Sequence, residues 1–262
     1  MEFSNFARFD ATCRLRASCR GMSNPFYDAG EQRAAKVNAL FATIARRYDL
    51  INDVQSFGMH RRWKRRLVTL AKVKSGARAL DVCCGTGDIA FALAAEGAEA
   101  TGLDFTDQMI AVAESKVQSL KSTVHSPKFL RGDAMKLPFP DDSFDAVTVG
   151  YGLRNLASWE TGLSEMARVA RPGGRVVVLD FGKPDHALWR TLYFGYLRLC
   201  VPVFGLLFAG RADAYAYILE SLKHYPAQRG VEEKMHTLGM KNIRVVNLMG
   251  GAMSFNYGEK AA

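Results

Sequence analysis

From residue 79 onward, short apolar runs alternate with stretches of helical periodicity. "ALDVC" (79–83), "AEATGLD" (98–104), "KFLRGD" (128–133), "FDAVTVG" (144–150) and "GRVVVLDF" (174–181) are mostly apolar throughout, the pattern of strands buried on both faces of a parallel sheet. Between most of them lie predicted helices: "DIAFALAAEG", "TDQMIAVAESKVQSLK" and "SWETGLSEMARVA", the last closed by the stop signal "RPGG". Repeated βα alternation predicts an α/β fold with a doubly wound, mostly parallel sheet. Near the end, "NIRVVNLMGGAMSFNYGEK" offers two strands around "GG", too close for a helical crossover, so a C-terminal antiparallel pair is expected.

The α/β domain is expected over residues 79–262, preceded by a helical cap over 36–78 and an extension over 1–35. In "HRRWKRRLVTLAKVK", Trp63, Leu67 and Leu70 recur at helical spacing and cations occupy the other faces. The most apolar stretch, "ALWRTLYFGYLRLCVPVFGLLFAG" (187–210), is interrupted by Arg190, Arg198, Pro202 and glycines. It therefore predicts a core helix or an apolar wall rather than a membrane span.

Charge changes this picture at one end only. The chain has 262 residues, 48% of them hydrophobic, and a net charge of +9. Residues 1–78 carry 16 Lys/Arg against 6 Asp/Glu, and the remainder is close to balanced. That excess is either a solvated helix face or an attraction to an anionic surface, phospholipid first. Nucleic acid is disfavoured because Trp63 is the only aromatic within the cationic run. The five cysteines (13, 19, 83, 84 and 200) form no disulfide framework and no CxxC pair, so no metal site is expected. "MEFSNFARFDATCRLRASCRG" lacks the apolar segment of a secretion signal. It reads as an extension before Met22 or as an organelle-targeting remnant. The expected location is cytoplasmic, at the inner membrane face, with an organelle matrix or stroma as the alternative.

The candidate chemistry centres on "LDVCCGTGD" (80–88), a strand-to-helix turn in which Gly85 and Gly87 allow close backbone approach to a ligand. The spacing Gly85, Gly87, Ala90 with Asp104 downstream also fits a dinucleotide site. Asp81 inside the first strand, Asp104 closing the second and Asp133 after the third would together repel a pyrophosphate. They would attract a ligand bearing a sulfonium and an ammonium, as S-adenosylmethionine does.

Five blocks carry a wider resemblance: "FATIARRYDLINDVQSFGMHRRWKRRL", "LDVCCGTGDIAF", "LPFPDDSFDAVTVGYGLRNL", "RVARPGGRVVVLDFGKP" and "ADAYAYILESLKHYP". From about Lys36 to Lys260 the chain resembles the C-methyltransferases of ubiquinone and menaquinone biosynthesis. The resemblance implies a class I methyltransferase that uses S-adenosylmethionine to methylate a ring carbon of a prenylated quinol, demethylmenaquinol or demethylphylloquinol before a benzoquinol. It implies that Thr86 contacts the cofactor, that Asp104 holds its ribose, and that Asp133 and Ala134 frame its adenine. Gly150 stands where bacterial members often have serine. It also implies that Tyr48 lies at the substrate. A homodimer is compatible with the chain.

Carbon methylation needs a phenolate, a group to stabilise it and a route for its proton. Arg154 and Asn155, in "YGLRN" after the fourth strand, are expected to face the crevice, with Arg154 on the phenolate. Tyr48, Asn52, Asp53 and His60 are expected to fold over the same opening, and His60 is the group whose ordinary pKa suits proton transfer.

Overall fold

The apolar runs form β1 (Arg78–Val82), β2 (Glu99–Asp104), β3 (Lys128–Arg131), β4 (Phe144–Gly150) and β5 (Ala170–Phe181), and the last two strands are β6 (Lys241–Leu248) and β7 (Met253–Glu259). They make one seven-stranded sheet in the order β3-β2-β1-β4-β5-β7-β6. Neighbours among β1 to β5 are parallel, and β7 is antiparallel to both β5 and β6. The computed structural model describes residues 33–119, 126–209 and 219–262. Most of the expected 1–35 extension, with its arginine-rich stretch, lies outside them.

Helices cover the sheet on both faces: α1 (Arg33–Ile44), α2 (Tyr48–Ser56), α3 (Met59–Ala71), α4 (Asp88–Ala95), α5 (Asp107–Ser119), α6 (Trp159–Val169), α7 (Ala187–Ala209) and α8 (Ala227–Thr237). Side chains alternate across a strand, so a continuous valine run feeds two cores. Val176 and Val178 enter one core with Leu80, Val82 and Leu163, whereas Val177 enters the other with Ala146, Leu93 and Phe255.

The second core also contains Leu67, Val68 and Ala71 of α3. Within the expected cap over 36–78, α3 therefore also forms a layer of the sandwich, while Met59, His60 and Trp63 at its start line the larger cavity described below. Its apolar stripe needs a partner, and the sheet supplies one. The cationic residues Arg61, Arg62, Arg65 and Arg66 stay on the exposed side. The caps proper are α1 and α2.

"RPGG" ends α6 as expected, but the strand begins at once rather than after a loop. Ala170 pairs with Phe144, and the register then shifts so that Arg175 pairs with Ala146. The intervening residues bulge out of the ladder.

If α3 is part of the core, Leu67→Ala should lower unfolding free energy by about 3 kcal/mol, while Arg65→Gln on the outer face should change it by less than about 0.5 kcal/mol. Urea titration measures both. A loss below about 1 kcal/mol for Leu67→Ala would place α3 outside the core.

Candidate active site

β1 lies between β2 and β4, the point where the strand order reverses and where open α/β sheets bind ligands. After Val82 the chain turns through Cys83 (φ 55°), Gly85 (φ 55°) and Gly87 (φ 88°) into α4. Gly87 is needed twice over. Its backbone is left-handed, and a Cβ there would sit 2.5 Å from the Phe129 ring. Burial pushes the Cys83 and Cys84 thiols well above their ordinary pKa, so both remain thiols that fill space beside the turn.

Asp104 closes β2 and ties the turn down. One carboxylate oxygen accepts from the Gly85 N–H at 2.8 Å, and the other accepts from the Thr106 N–H at 2.9 Å. Burial raises its pKa against these bonds. Asp133 accepts from the Met135 N–H at 2.8 Å and so also shapes a turn. Both acids, with Gly85, Ala134 and Gly150, line a cavity of about 140 Å³. A carboxylate has four lone-pair positions, so Asp104 and Asp133 keep acceptors for a ligand's hydroxyl or amino groups. This donor set fits the ribose and adenine of S-adenosylmethionine.

Asp81 and Thr86, grouped with these residues in the sequence, line neither this cavity nor the larger one described below. Asp81 is fully buried opposite Thr148 of β4, whose hydroxyl donates to it at 2.9 Å. Burial raises its pKa to about 7, with the Thr148 bond opposing. Of the three expected carboxylates, the smaller cavity brings together Asp104 and Asp133. The Thr86 hydroxyl donates to Asp49 of α2 at 2.7 Å.

A second cavity, of about 500 Å³, opens beside the first between α2, α3 and α7. Phe41, Tyr48 and Tyr151 line both. Its walls are mostly apolar, including Trp189, Leu192, Tyr193 and Leu197 of α7, with Arg154, Asn52 and His60 among the few polar groups. Arg154 is buried in a short 3-10 turn after β4. Its Nε lies 3.2 Å from Asp180 at the end of β5, and its guanidinium stacks over Phe181 at 4.9 Å. Nη1 donates to Asn155 Oδ1 at 2.7 Å and to Ser221 Oγ at 2.8 Å. Nη2 has no such partner among the described residues, which leaves it to a ligand. Asn155 itself lines the smaller cavity and acts on Arg154 from behind.

His60 is buried, and burial followed by Lys64 lowers its pKa below 6.5, so it is neutral at pH 7. Its tautomer follows from its neighbours. Ser56 Oγ donates its single proton to Asn52 O at 2.6 Å and is 2.8 Å from His60 Nδ1, so Nδ1 must carry the proton. Nε2 is left as a proton acceptor. Burial raises the pKa of Tyr48, which therefore stays a phenol.

Asp180, Ser221 and Ser56 escaped the sequence reading. Asp180 had a signal, an acid inside the apolar run "VVVLDF" at a strand's carboxyl end, the same signal that singled out Asp81. The two serines had none.

The Asp81 environment sets a pH dependence. A carboxyl whose pKa rises on folding contributes stability in its protonated form, fully present below its ordinary 3.8 and lost as pH rises through about 7. Asp81→Asn should therefore gain more stability over the wild type at pH 8 than at pH 5, read from urea midpoints of the ligand-free protein. An equal difference at both pH values would refute the raised pKa.

Comparison with known proteins places the chain in a family. Demethylmenaquinone methyltransferase of Bacillus licheniformis is 40% identical over 233 residues, covering 88% of this chain and 99% of that protein. The Listeria welshimeri protein of the same name is 37% identical, with 88% and 98% covered. Among solved structures, an S-adenosylmethionine-dependent methyltransferase from Aquifex aeolicus superposes with a TM-score of 0.53 at 18% identity, over 76% of this chain and 89% of that one. Phosphoethanolamine N-methyltransferase 2 of Haemonchus contortus, solved with S-adenosyl-L-methionine, gives 0.56 at 18% identity, over 75% and 51%. These two share the class I methyltransferase fold. A family model matches residues 28–260, and the chain belongs to the ubiE/COQ5 methyltransferase family.

Proposed function

We propose that this methyltransferase uses S-adenosylmethionine to methylate a ring carbon of a prenylated naphthoquinol. The observation that carries the reading is the pair of adjoining cavities: one with two carboxylates, the other large and apolar with a buried guanidinium, meeting at Tyr48 and Tyr151. The name shared by the 37–40% identical relatives favours a demethylmenaquinol over a ubiquinone-pathway benzoquinol.

The bound cofactor supplies an electrophilic methyl group on a sulfonium. Gly85, Asp104, Asp133, Ala134 and Gly150 hold it, with Gly87 shaping the turn. Asp81 supports them by fixing β1 to β4. Arg154 Nη2 stabilises the quinol oxyanion, which pushes charge onto the neighbouring ring carbon; that carbon gains the methyl and then loses its own hydrogen as a proton, which restores the aromatic quinol. Asn155 and Asp180 keep the guanidinium in place. His60 Nε2 accepts the hydroxyl proton, Tyr48 positions the ring at the junction, and the apolar walls exclude water.

Turnover of a short-chain demethylmenaquinol with S-adenosylmethionine tests this. Arg154→Ala should lose about 100- to 1000-fold in kcat while still binding cofactor, and Arg154→Lys should recover part of it. Wild-type rate should fall as pH drops through the His60 pKa, which burial has moved to the acid side of the ordinary imidazole value, and His60→Asn should remove that limb. Near-normal turnover by Arg154→Ala would overturn the assignment.

A long-tailed substrate resides in a bilayer, and the cavity mouth suits one. No helix among the described residues is long and apolar enough to cross a membrane. Yet Phe57 (82% exposed) and Met249 (56%) edge the mouth, and Leu188, Leu192, Tyr196 and Leu199 form an exposed apolar stripe along α7. Exposed cations accompany it, Arg190 and Arg198 on α7 and Arg62 on α3, and neither helix contains an acid, although Arg61 is paired with Asp53 of α2. This surface fits an anionic phospholipid bilayer. Leu188→Asp/Leu199→Asp should bind phosphatidylglycerol vesicles at least about tenfold more weakly while turning over a short-chain quinol normally. Wild-type binding that ignores vesicle charge, or a variant that binds equally well, would remove the bilayer as partner.

A further inference from the structure

One polar cluster lies outside both cavities and yet touches the glycine turn. Asp49, the second residue of α2, accepts from Thr86 Oγ1 at 2.7 Å with one oxygen and from Lys116 Nζ at 2.8 Å with the other. Lys116, on α5, also donates to the Thr86 carbonyl at 3.1 Å and to Asp88 at 3.1 Å. The second Asp88 oxygen accepts from Lys64 of α3 at 2.8 Å. Two cations and two anions thus join α2, α3, α4, α5 and the turn. Burial disfavours the Asp88 charge, but Lys64 and then Lys116 outweigh it and hold its pKa near 2. The start of α4 adds a favourable dipole.

The cluster sits where the cap needs fastening. α2 buries only Ile51 completely, so apolar packing alone anchors it weakly. Its first residue, Tyr48, lines both cavities and lies 3.7 Å from where a Cβ on Gly85 would be. Asp49, the next residue, is the one tied to the turn. The Asp49 and Lys116 side chains are each about one-third exposed, so water can compete for their charges and the tie can open.

We infer that Asp49 and Lys116 are positioning residues: they clamp α2 to the Thr86 turn, hold Tyr48 at the junction of the cavities, and must release for the cofactor to exchange. The inference rests on the reading of the smaller cavity as the cofactor site. A clamp across five elements restrains more than a single surface ion pair, because Lys116 serves three acceptors at once and none can move alone.

Amide hydrogen exchange of the ligand-free protein tests the clamp without cofactor. In Lys116→Met and in Asp49→Asn, exchange over residues 48–56 should accelerate about tenfold while β1, β4 and β5 stay unchanged, and Lys116→Arg should remain near wild type. Dissociation of S-adenosylhomocysteine, followed by stopped flow, should accelerate by a similar factor in the first two variants. Their kcat should fall more than the quinol KM changes. Unchanged exchange over 48–56 would overturn the clamp, as would equal acceleration across the whole sheet, which marks a general loss of stability. If wild type does not bind S-adenosylhomocysteine, the cofactor reading and the exchange route fall together, while the exchange pattern still judges the fastening of α2. Tight binding with unaltered dissociation in the variants would sink the clamp alone.

Discussion

A guanidinium beside a dry apolar cavity is the constraint around which this site is built. Its charge cannot be shed, since arginine does not deprotonate in proteins, and leaving it unpaired in an apolar setting is costly. The fold compensates with Asp180 on β5, Asn155 on the same turn, Ser221 from the helical stretch before α8, and the face of Phe181. Such an arrangement is a poor way to gain stability, because a hydrophobic replacement of a buried ion pair is often neutral or better. Its retention points to use. The partners also fix the direction in which the charge is presented, because Asn155 and Ser221 hold Nη1 by hydrogen bonds and Asp180 lies beside Nε as a counter-charge, which turns Nη2 to the cavity.

Burial acts on several titratable groups around the site, and in one direction for each type. It raises the carboxyls of Asp81, Asp104 and Asp180 and the phenols of Tyr48 and Tyr151, and it lowers the imidazole of His60. The outcome is a site in which a neutral imidazole, His60, and a guanidinium, Arg154, line one cavity. Tyrosine hydroxyls there orient rather than ionise. The sequence singles out His60 on its ordinary pKa alone and places Tyr48 ahead of it. The stronger reason is local: the seryl hydroxyl one turn earlier is committed to Asn52, which leaves the Nε2 lone pair free.

The strands, the switch point and the glycine turn were legible because buried parallel strands leave unbroken apolar runs and tight turns leave glycines. Asp104 was legible for the same reason, as an acid where a strand stops. What failed was the inference from spacing to a shared cavity. Asp81 has the residue type and the strand position of a ligand-binding acid, but the period-two alternation of β1 turns it to the face of Ala79, away from the cavity. There it pairs with Thr148. The packing of α3 was only partly legible. The cations of α3 dominate its composition, yet Leu67, Val68 and Ala71 decide where it packs, since burial of three apolar side chains outweighs any preference of exposed charges.

Residues that join distant elements left no pattern at all. Lys116 and Asp49 occupy polar positions on amphipathic helices, where a lysine or an aspartate is the ordinary occupant, and their meeting depends on how the folded chain brings α2 and α5 to the glycine turn. The three-dimensional consequence is a division of labour around the glycine turn. Asp104 holds the turn from the β2 side through the Gly85 N–H, and Asp49 holds it from the cap side through the Thr86 hydroxyl. The first tie is buried and the second is partly exposed to water. A turn fixed on its sheet side and fastened reversibly on its cap side can keep its shape while the cap moves. That asymmetry is what a site needs when one ligand must enter and leave through the wall that positions the other.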